Sequence, residues 1–234
     1  MSYFHFKNFS ILQSNAAMKV GTDSMLLGSF INSTNKKCAL DVGAGSGVLS
    51  LMVAQKNSEI RIDAVEIDKL SMKECALNFE ASDWSARLSV YHTDFLEFKI
   101  DQKYDLIFSN PPYYRSTLVS KDHRKATAKH EGSLPIPVFL KRVSSILTSE
   151  GVVWIIIAFM DRRSWENNAE QSGLFVSRET RISGKKNKGP NRIILELKKR
   201  KKNLVSDQFV IRNDNGTYTD AYIELTKEFH RKEL

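Results

Sequence analysis

The chain has 234 residues, of which 41% are hydrophobic and 26% charged, with a formal net charge of +8. That length supports one sizeable core, since domains usually run to about 100–200 residues, and the composition is neither disordered nor fibrous. Cys38 and Cys75 form no CxxC pair and no His or Cys cluster has zinc spacing, which excludes a metal site; the longest apolar stretch, Val152 to Met160, is too short for a membrane span.

In chain order, Met1 to Ser10 alternates aromatic and polar residues without the apolar run of a secretion signal. Lys37 to Val42 predicts the first strand, followed by a glycine turn and a helix on Val48, Leu49, Leu51, Met52 and Ala54. Ile60 to Val65 predicts the second strand, and Leu70, Ala76, Leu77 and Phe79 the helix after it. Two further strands are expected at Leu88 to His92 and Tyr104 to Ser109, the latter stopped by Pro111-Pro112. Ile136, Phe139, Val143, Ile146 and Leu147 make a helix expected to end at Gly151, and Val152 to Ala158 reads as a buried parallel strand.

This alternation predicts an α/β protein with a doubly wound, mostly parallel sheet. The last third differs. Leu174 to Ile182 and Arg192 to Leu197 flank Ser183 to Asn191, a turn rich in Gly, Pro and Lys, so an antiparallel hairpin is expected. Tyr222 to Phe229 suggests a short closing helix. Residues 176–202 hold 11 basic and 2 acidic side chains, a net of +9, so this one segment carries the whole excess charge. A focused patch of that kind suits a polyanion.

Three clusters carry the chemistry. The first is Asp41-Val42-Gly43-Ala44-Gly45-Ser46-Gly47, where glycines two apart let backbone approach a ligand. A dinucleotide fingerprint would need glycine at Val48; its absence disfavours a pyrophosphate and favours a nucleoside with an amino-acid tail. The second is acidic. Glu66, 19 residues past Gly47 and followed by Ile67, stands where an acid accepts hydrogen bonds from ribose hydroxyls. Asp94 can accept from an adenine amine, with Phe95 packing on that ring. The third is Asn110-Pro111-Pro112-Tyr113. The prolines turn backbone carbonyls outward as acceptors, the Asn110 carbonyl adds another, and Tyr113 offers a flat face. Together they suit a planar NH₂ group on a ring.

These clusters resemble the class I amino-methyltransferases, whose S-adenosylmethionine sits on such a glycine turn. Met18 to Asp23 with Leu26-Leu27-Gly28, Leu51 to Gln55, Asn78, Trp84 to Arg87, Arg124 to Glu131 and Asp214 to Phe229 narrow the resemblance to the bacterial tRNA1(Val) adenine-N6 methyltransferases. It covers nearly the whole chain, with departures at Ser82-Asp83-Trp84 and Phe229-His230. The resemblance implies a single methyltransferase domain over 1–234: a segment 1–36 over the cofactor site, a core 37–202 and a tail 203–234. It implies that Gly21, Thr22 and Asp23 line the methionine end of S-adenosylmethionine, with Asp41, Gly43, Gly45, Gly47, Glu66, Ile67, Asp94 and Phe95 completing the cofactor site. Asn110 to Tyr113 are the expected catalytic tetrad.

The expected partner is tRNA, in a cytoplasmic enzyme favoured as a monomer. Arg115, Arg124 and Lys129 in a long polar loop, and Lys185, Lys186, Lys188 and Arg192 in or beside the hairpin turn, are candidate phosphate contacts. Lys198 to Lys202 is either a further contact or a solvated charge run. The rival enzymes of the same motif are release-factor glutamine-N5 and rRNA guanine-N2 methyltransferases; the first carries a sizeable N-terminal helical domain, whereas the first strand here already starts at Lys37. A non-catalytic RNA-binding protein has no need of an intact tetrad and glycine turn.

Overall fold

The computed structural model describes residues 2–111 and 134–231. Its elements are β1 (Tyr3–His5), β2 (Ser10–Leu12), α1 (Thr22–Phe30), β3 (Cys38–Val42), α2 (Val48–Lys56), β4 (Arg61–Glu66), α3 (Lys69–Glu80), β5 (Leu88–His92) and β6 (Tyr104–Ser109). After the undescribed stretch come α4 (Ile136–Ile146), β7 (Leu147–Ala158), α5 (Arg162–Gln171), β8 (Phe175–Lys185), β9 (Arg192–Lys198), β10 (Val205–Arg212) and α6 (Asp220–Thr226).

Eight strands form one sheet in the order β10-β8-β9-β7-β6-β3-β4-β5, and β1 with β2 make a separate antiparallel ribbon. The pairs from β7 to β5 are parallel, whereas β9 runs antiparallel to both β7 and β8. The doubly wound sheet and its hairpin therefore stand as expected from the sequence. One core cluster lies on the face of α1, α2 and α3, around Leu26, Leu51, Met52 and Phe79. The other lies under α4 and α5, around Phe139, Leu140, Val143 and Trp165. β7 is buried over Gly151–Ala158 because it sits mid-sheet between the two.

Three of the elements that differ from the sequence reading are α4, α3 and β10. Helix α4 stops at Ile146, and Gly151 lies inside β7. The register of β7 against β6 slips between Tyr104 and Leu106, so that residues 148–151 lie opposite Asp105 alone. A Cβ at Gly151 would lie 2.6 Å from Leu147 Cδ1, so glycine serves close packing there and does not terminate the helix. Helix α3 turns a different face inward: Leu70 and Leu77 are exposed, while Ser71, Glu74, Cys75, Asn78 and Phe79 are buried. Its polar residues hold the N-terminal segment. Glu74 accepts from the backbone of Asn15 and Ala16, both at 2.8 Å, and Ser71 from Ala17 at 3.1 Å. Third, β10 adds a parallel edge strand beside β8, with a half-exposed, polar sequence that gave no strand signal.

Candidate active site

In a parallel sheet, all strands present their carboxyl ends on one side, where open α/β folds bind ligands. The turn after β3 is held there by its own backbone. Gly43 and Ala44 donate to the Val65 carbonyl at 2.9 and 3.1 Å, and Gly47 donates to the Ala44 carbonyl at 2.8 Å. Gly43, Gly45 and Gly47 all have left-handed φ angles of 71°, 57° and 81°, which disfavour any side chain. Their surroundings differ. A Cβ at Gly43 or Gly45 meets nothing within 4 Å, so this part of the turn borders open space. A Cβ at Gly47 would lie 2.6 Å from Phe79 and 2.7 Å from Cys75 Sγ, so Gly47 lets α2 and α3 close together.

Two buried carboxylates back this cradle. Glu66, the last residue of β4, accepts from the Gly45 backbone at 2.7 Å and the Asp68 backbone at 2.8 Å. Burial raises its pKa, against the pull of those two hydrogen bonds. Asp41 is fully buried; Ser50 donates to one of its oxygens at 2.7 Å, and the other has no partner among the described residues. Desolvation pushes the Asp41 carboxyl up to about 7, Ser50 opposes this, and the charge of Glu66 adds to it. Open space above the turn, an orphaned acceptor and two acids whose charged forms burial disfavours and a nearby cation would restore suit a ligand with a cationic tail. By these observations the residues fit S-adenosylmethionine, with its ammonium and sulfonium charges.

The other expected cofactor residues spread around that centre. Ile67 is exposed beside Glu66. Asp94 is half-buried and accepts from the Leu96 backbone at 2.8 Å, while Phe95 is buried against Phe139 at 5.7 Å between ring centroids. Gly21 caps α1, and Thr22 and Asp23 form its first turn. Asp23 pairs with Arg192 at 3.0 Å, so an expected cofactor residue and an expected phosphate contact meet each other.

Sequence reasoning gave no structural role to Asn78, whose side chain organises this region. It donates to the carbonyls of Leu12 at 3.0 Å and Ser46 at 2.9 Å, and accepts from the Leu12 backbone at 2.7 Å. A single buried amide thus ties the N-terminal ribbon to the glycine turn. The available signal was the polar series Ser71, Glu74 and Asn78 on α3, which shares one helix face.

Asn110 follows β6, and its position is set from below: Ser109 donates to the Val42 carbonyl at 2.7 Å, joining the ends of β6 and β3. The Asn110 carbonyl oxygen is buried without a partner among the described residues, an acceptor awaiting a donor. Pro111 is half-buried beside it. Pro112, Tyr113, Arg115, Arg124 and Lys129 lie outside the described residues.

The methyltransferase small domain family matches residues 10–160 of the chain. A tRNA1(Val) (adenine(37)-N6)-methyltransferase of Flavobacterium psychrophilum is 36% identical over 233 residues, covering 98% of this chain and 99% of that protein. The protein of the same name from Vibrio campbellii is 34% identical, covering 98% of this chain and 95% of its own. This chain belongs to the tRNA1(Val) (adenine(37)-N6)-methyltransferase family. Among solved structures, a predicted O-methyltransferase of Agrobacterium tumefaciens superposes with a TM-score of 0.70 at 16% identity, covering 91% of this chain and 98% of its own. A putative RNA methyltransferase of Pyrococcus horikoshii gives 0.53 at 20% identity, covering 75% and 80%. Both likenesses concern the fold.

In this methyltransferase the hairpin divides the basic segment in two. Antiparallel pairing sets Arg192 beside Ala158, at the same edge as the glycine turn, and Lys198 beside Val152, at the opposite edge. Lys185, Lys186 and Lys188 are exposed on the near side, with no carboxylate partner among the described residues. Lys198 to Lys201 on the far side are engaged: Lys198 with Glu196 at 2.5 Å, Lys199 with the Leu147 carbonyl at 2.7 Å, Arg200 with Glu150 at 2.9 Å, and Lys201 with Glu170 at 3.9 Å. Among the described residues no group of three or more His, Cys, Asp or Glu could hold a metal, and no helix is long and apolar enough to cross a membrane.

Proposed function

We propose that this methyltransferase transfers a methyl group from S-adenosylmethionine to N6 of adenine 37 in tRNA1(Val). The observation that carries this reading is the open glycine cradle backed by Asp41 and Glu66, one strand from the orphaned Asn110 acceptor at the end of β6. The names of near full-length relatives supply the nucleic acid and its position. When bound, S-adenosylmethionine supplies an electrophilic methyl on a sulfonium. Gly43 and Gly45 let its body approach the backbone, Glu66 accepts from its ribose, and Asp41 favours its positive charge. Gly47 contributes by packing, and Gly21, Thr22 and Asp23 border the amino-acid end. Ile67, Asp94 and Phe95 serve its adenine.

An exocyclic amine conjugated with its ring is a weak nucleophile. The Asn110 carbonyl accepts one of its N–H bonds, and the backbone carbonyls beside Pro111 and Pro112 are the natural acceptors for the other. Both acceptors pull the nitrogen toward tetrahedral geometry and localise its lone pair, so positioning and electrostatics carry the catalysis. Tyr113 stacks on the adenine. Lys185, Lys186 and Lys188 meet tRNA phosphates on the same side of the sheet, with Arg115, Arg124 and Lys129 as further contacts. Arg192 joins them while anchored on Asp23. The reading takes residues 1–234 as one methyltransferase domain with segment 1–36 over the cofactor, acting as a cytoplasmic monomer.

The test is transfer of labelled methyl to two tRNA1(Val) transcripts, one with adenine and one with guanine at position 37. The expected result is label in the first only. Equal labelling of both would refute the assigned position.

A further inference from the structure

The carboxyl edge of the sheet has a spatial order. The cofactor cradle stands over β3 and β4, Asn110 over β6, and the basic turn over β8 and β9; β7 lies between Asn110 and that turn. What β7 presents there is the short helical turn Phe159–Asp161. Its position is fixed on both sides. Ser109 of β6 pairs with Ile155, Ala158 pairs with Arg192, and the Phe159 backbone donates to the Asn191 carbonyl at 3.2 Å.

Met160, in the middle of this turn, is 69% exposed, more than any other large hydrophobic residue described. Other exposed residues at this edge are cationic: Arg163 in the first turn of α5, and Lys185, Lys186 and Lys188 at the hairpin turn of β8 and β9. The acid of the turn, Asp161, is only half-exposed. An exposed apolar side chain on the edge that also carries these cations and the Asn110 acceptor matches the surface of a nucleic acid, with phosphates for the cations and a flat heteroaromatic face for the thioether.

We propose that Met160 packs against the base next to the target adenine, occupying the stacking face that the adenine leaves when it turns into the Asn110 pocket. This inference rests on the tRNA reading above. The strand order agrees with this, because β7 neighbours β6 on the side away from the cofactor cradle. Methionine is also among the side chains that wedge into base stacks. Met160 is thus a positioning residue: it keeps the adenine out of the stack and does not touch the reacting atoms.

The experiment compares the wild type with Met160→Ala and Met160→Leu on a tRNA1(Val) transcript. A second transcript carries 2-aminopurine at the target position, whose fluorescence rises on unstacking. Met160→Ala is expected to lower the single-turnover rate at saturating tRNA about tenfold, as removal of a stacking side chain does, and to lower the fluorescence rise. Met160→Leu, which keeps the apolar bulk, is expected to restore both. S-adenosylhomocysteine affinity and Tm should not move in either variant. An alanine variant with the wild-type rate and fluorescence overturns the inference while leaving tRNA methylation intact, and so does a leucine variant as slow as the alanine one. Self-association lost in Met160→Ala with unchanged tRNA kinetics would reassign the side chain to a contact between copies. A wild type that transfers no methyl to tRNA removes the underlying reading, and this inference with it.

Discussion

Gly45→Ala and Gly47→Ala separate ligand approach from packing within one turn. At Gly45 the new Cβ meets nothing within 4 Å, so the folding cost comes from φ of 57° alone. A left-handed L residue costs about 1–2 kcal/mol, and the stiffer unfolded chain offsets about 0.4–1 of it. Gly45→Ala should therefore lose only about 1 kcal/mol of stability. Gly47→Ala carries the same backbone penalty at φ 81° and drives its Cβ to within 2.6 Å of Phe79 and 2.7 Å of Cys75, both buried. Overpacking typically adds about 1–3 kcal/mol, so its total is about 2–4 kcal/mol. Cofactor binding should rank the other way. The Gly45 methyl stands in the cradle and should weaken S-adenosylhomocysteine binding by at least about tenfold, or 1.4 kcal/mol. Urea unfolding of the apo protein gives the first quantity and calorimetric titration the second. If Gly45→Ala binds S-adenosylhomocysteine within about twofold of the wild type, the ligand does not pass over Gly45 and the cradle is misassigned.

Replacing Lys185, Lys186 and Lys188 together by Ala should weaken tRNA binding and flatten the plot of log affinity against log salt by roughly one unit for each phosphate no longer neutralised. A wild-type slope in the triple variant would make the turn a solvated surface. Asp41 gives a pH prediction: the fold holds its proton up to about 7, whereas the unfolded chain releases it near 4. The folded state therefore binds more protons between those values, and the Asp41 contribution makes apo stability fall as pH rises across that window. Asp41→Asn should remove that decline in unfolding curves taken from pH 4 to 8; an unchanged decline would assign it to other groups.

How much was legible in the sequence depended on whether a residue's role was local. The glycine turn, Glu66 and Asn110 stand at strand ends, and a strand end is readable from a short apolar run and a turn. Other roles depend on what lies across the fold. Ser71, Glu74 and Asn78 look like the wet face of α3, and only the arrival of residues 12–17 makes that face the inner one. Helix α1 gave no periodic pattern because Ser24 to Gly28 are all buried, leaving no polar side to mark. Helix α5 shows the opposite problem: only Trp165 and Ala169, four apart, face the core. The charge excess of 176–202 was plain from composition, but its division between two edges of the sheet needed the register of β9. Gly151 misled because glycine commonly ends helices, whereas here it makes room for Leu147.

The central claim is that the Asn110 acceptor, one strand from the cofactor cradle, prepares an exocyclic adenine nitrogen for methylation. The direct measurement is nucleoside mass spectrometry of tRNA1(Val) after incubation with the protein and S-adenosylmethionine carrying a labelled methyl. The account predicts N6-methyladenosine bearing the label, and loss of that product in Asn110→Ala while S-adenosylhomocysteine affinity is retained. Label recovered as N2-methylguanosine, or as methylated glutamine when a release factor is offered, would contradict it.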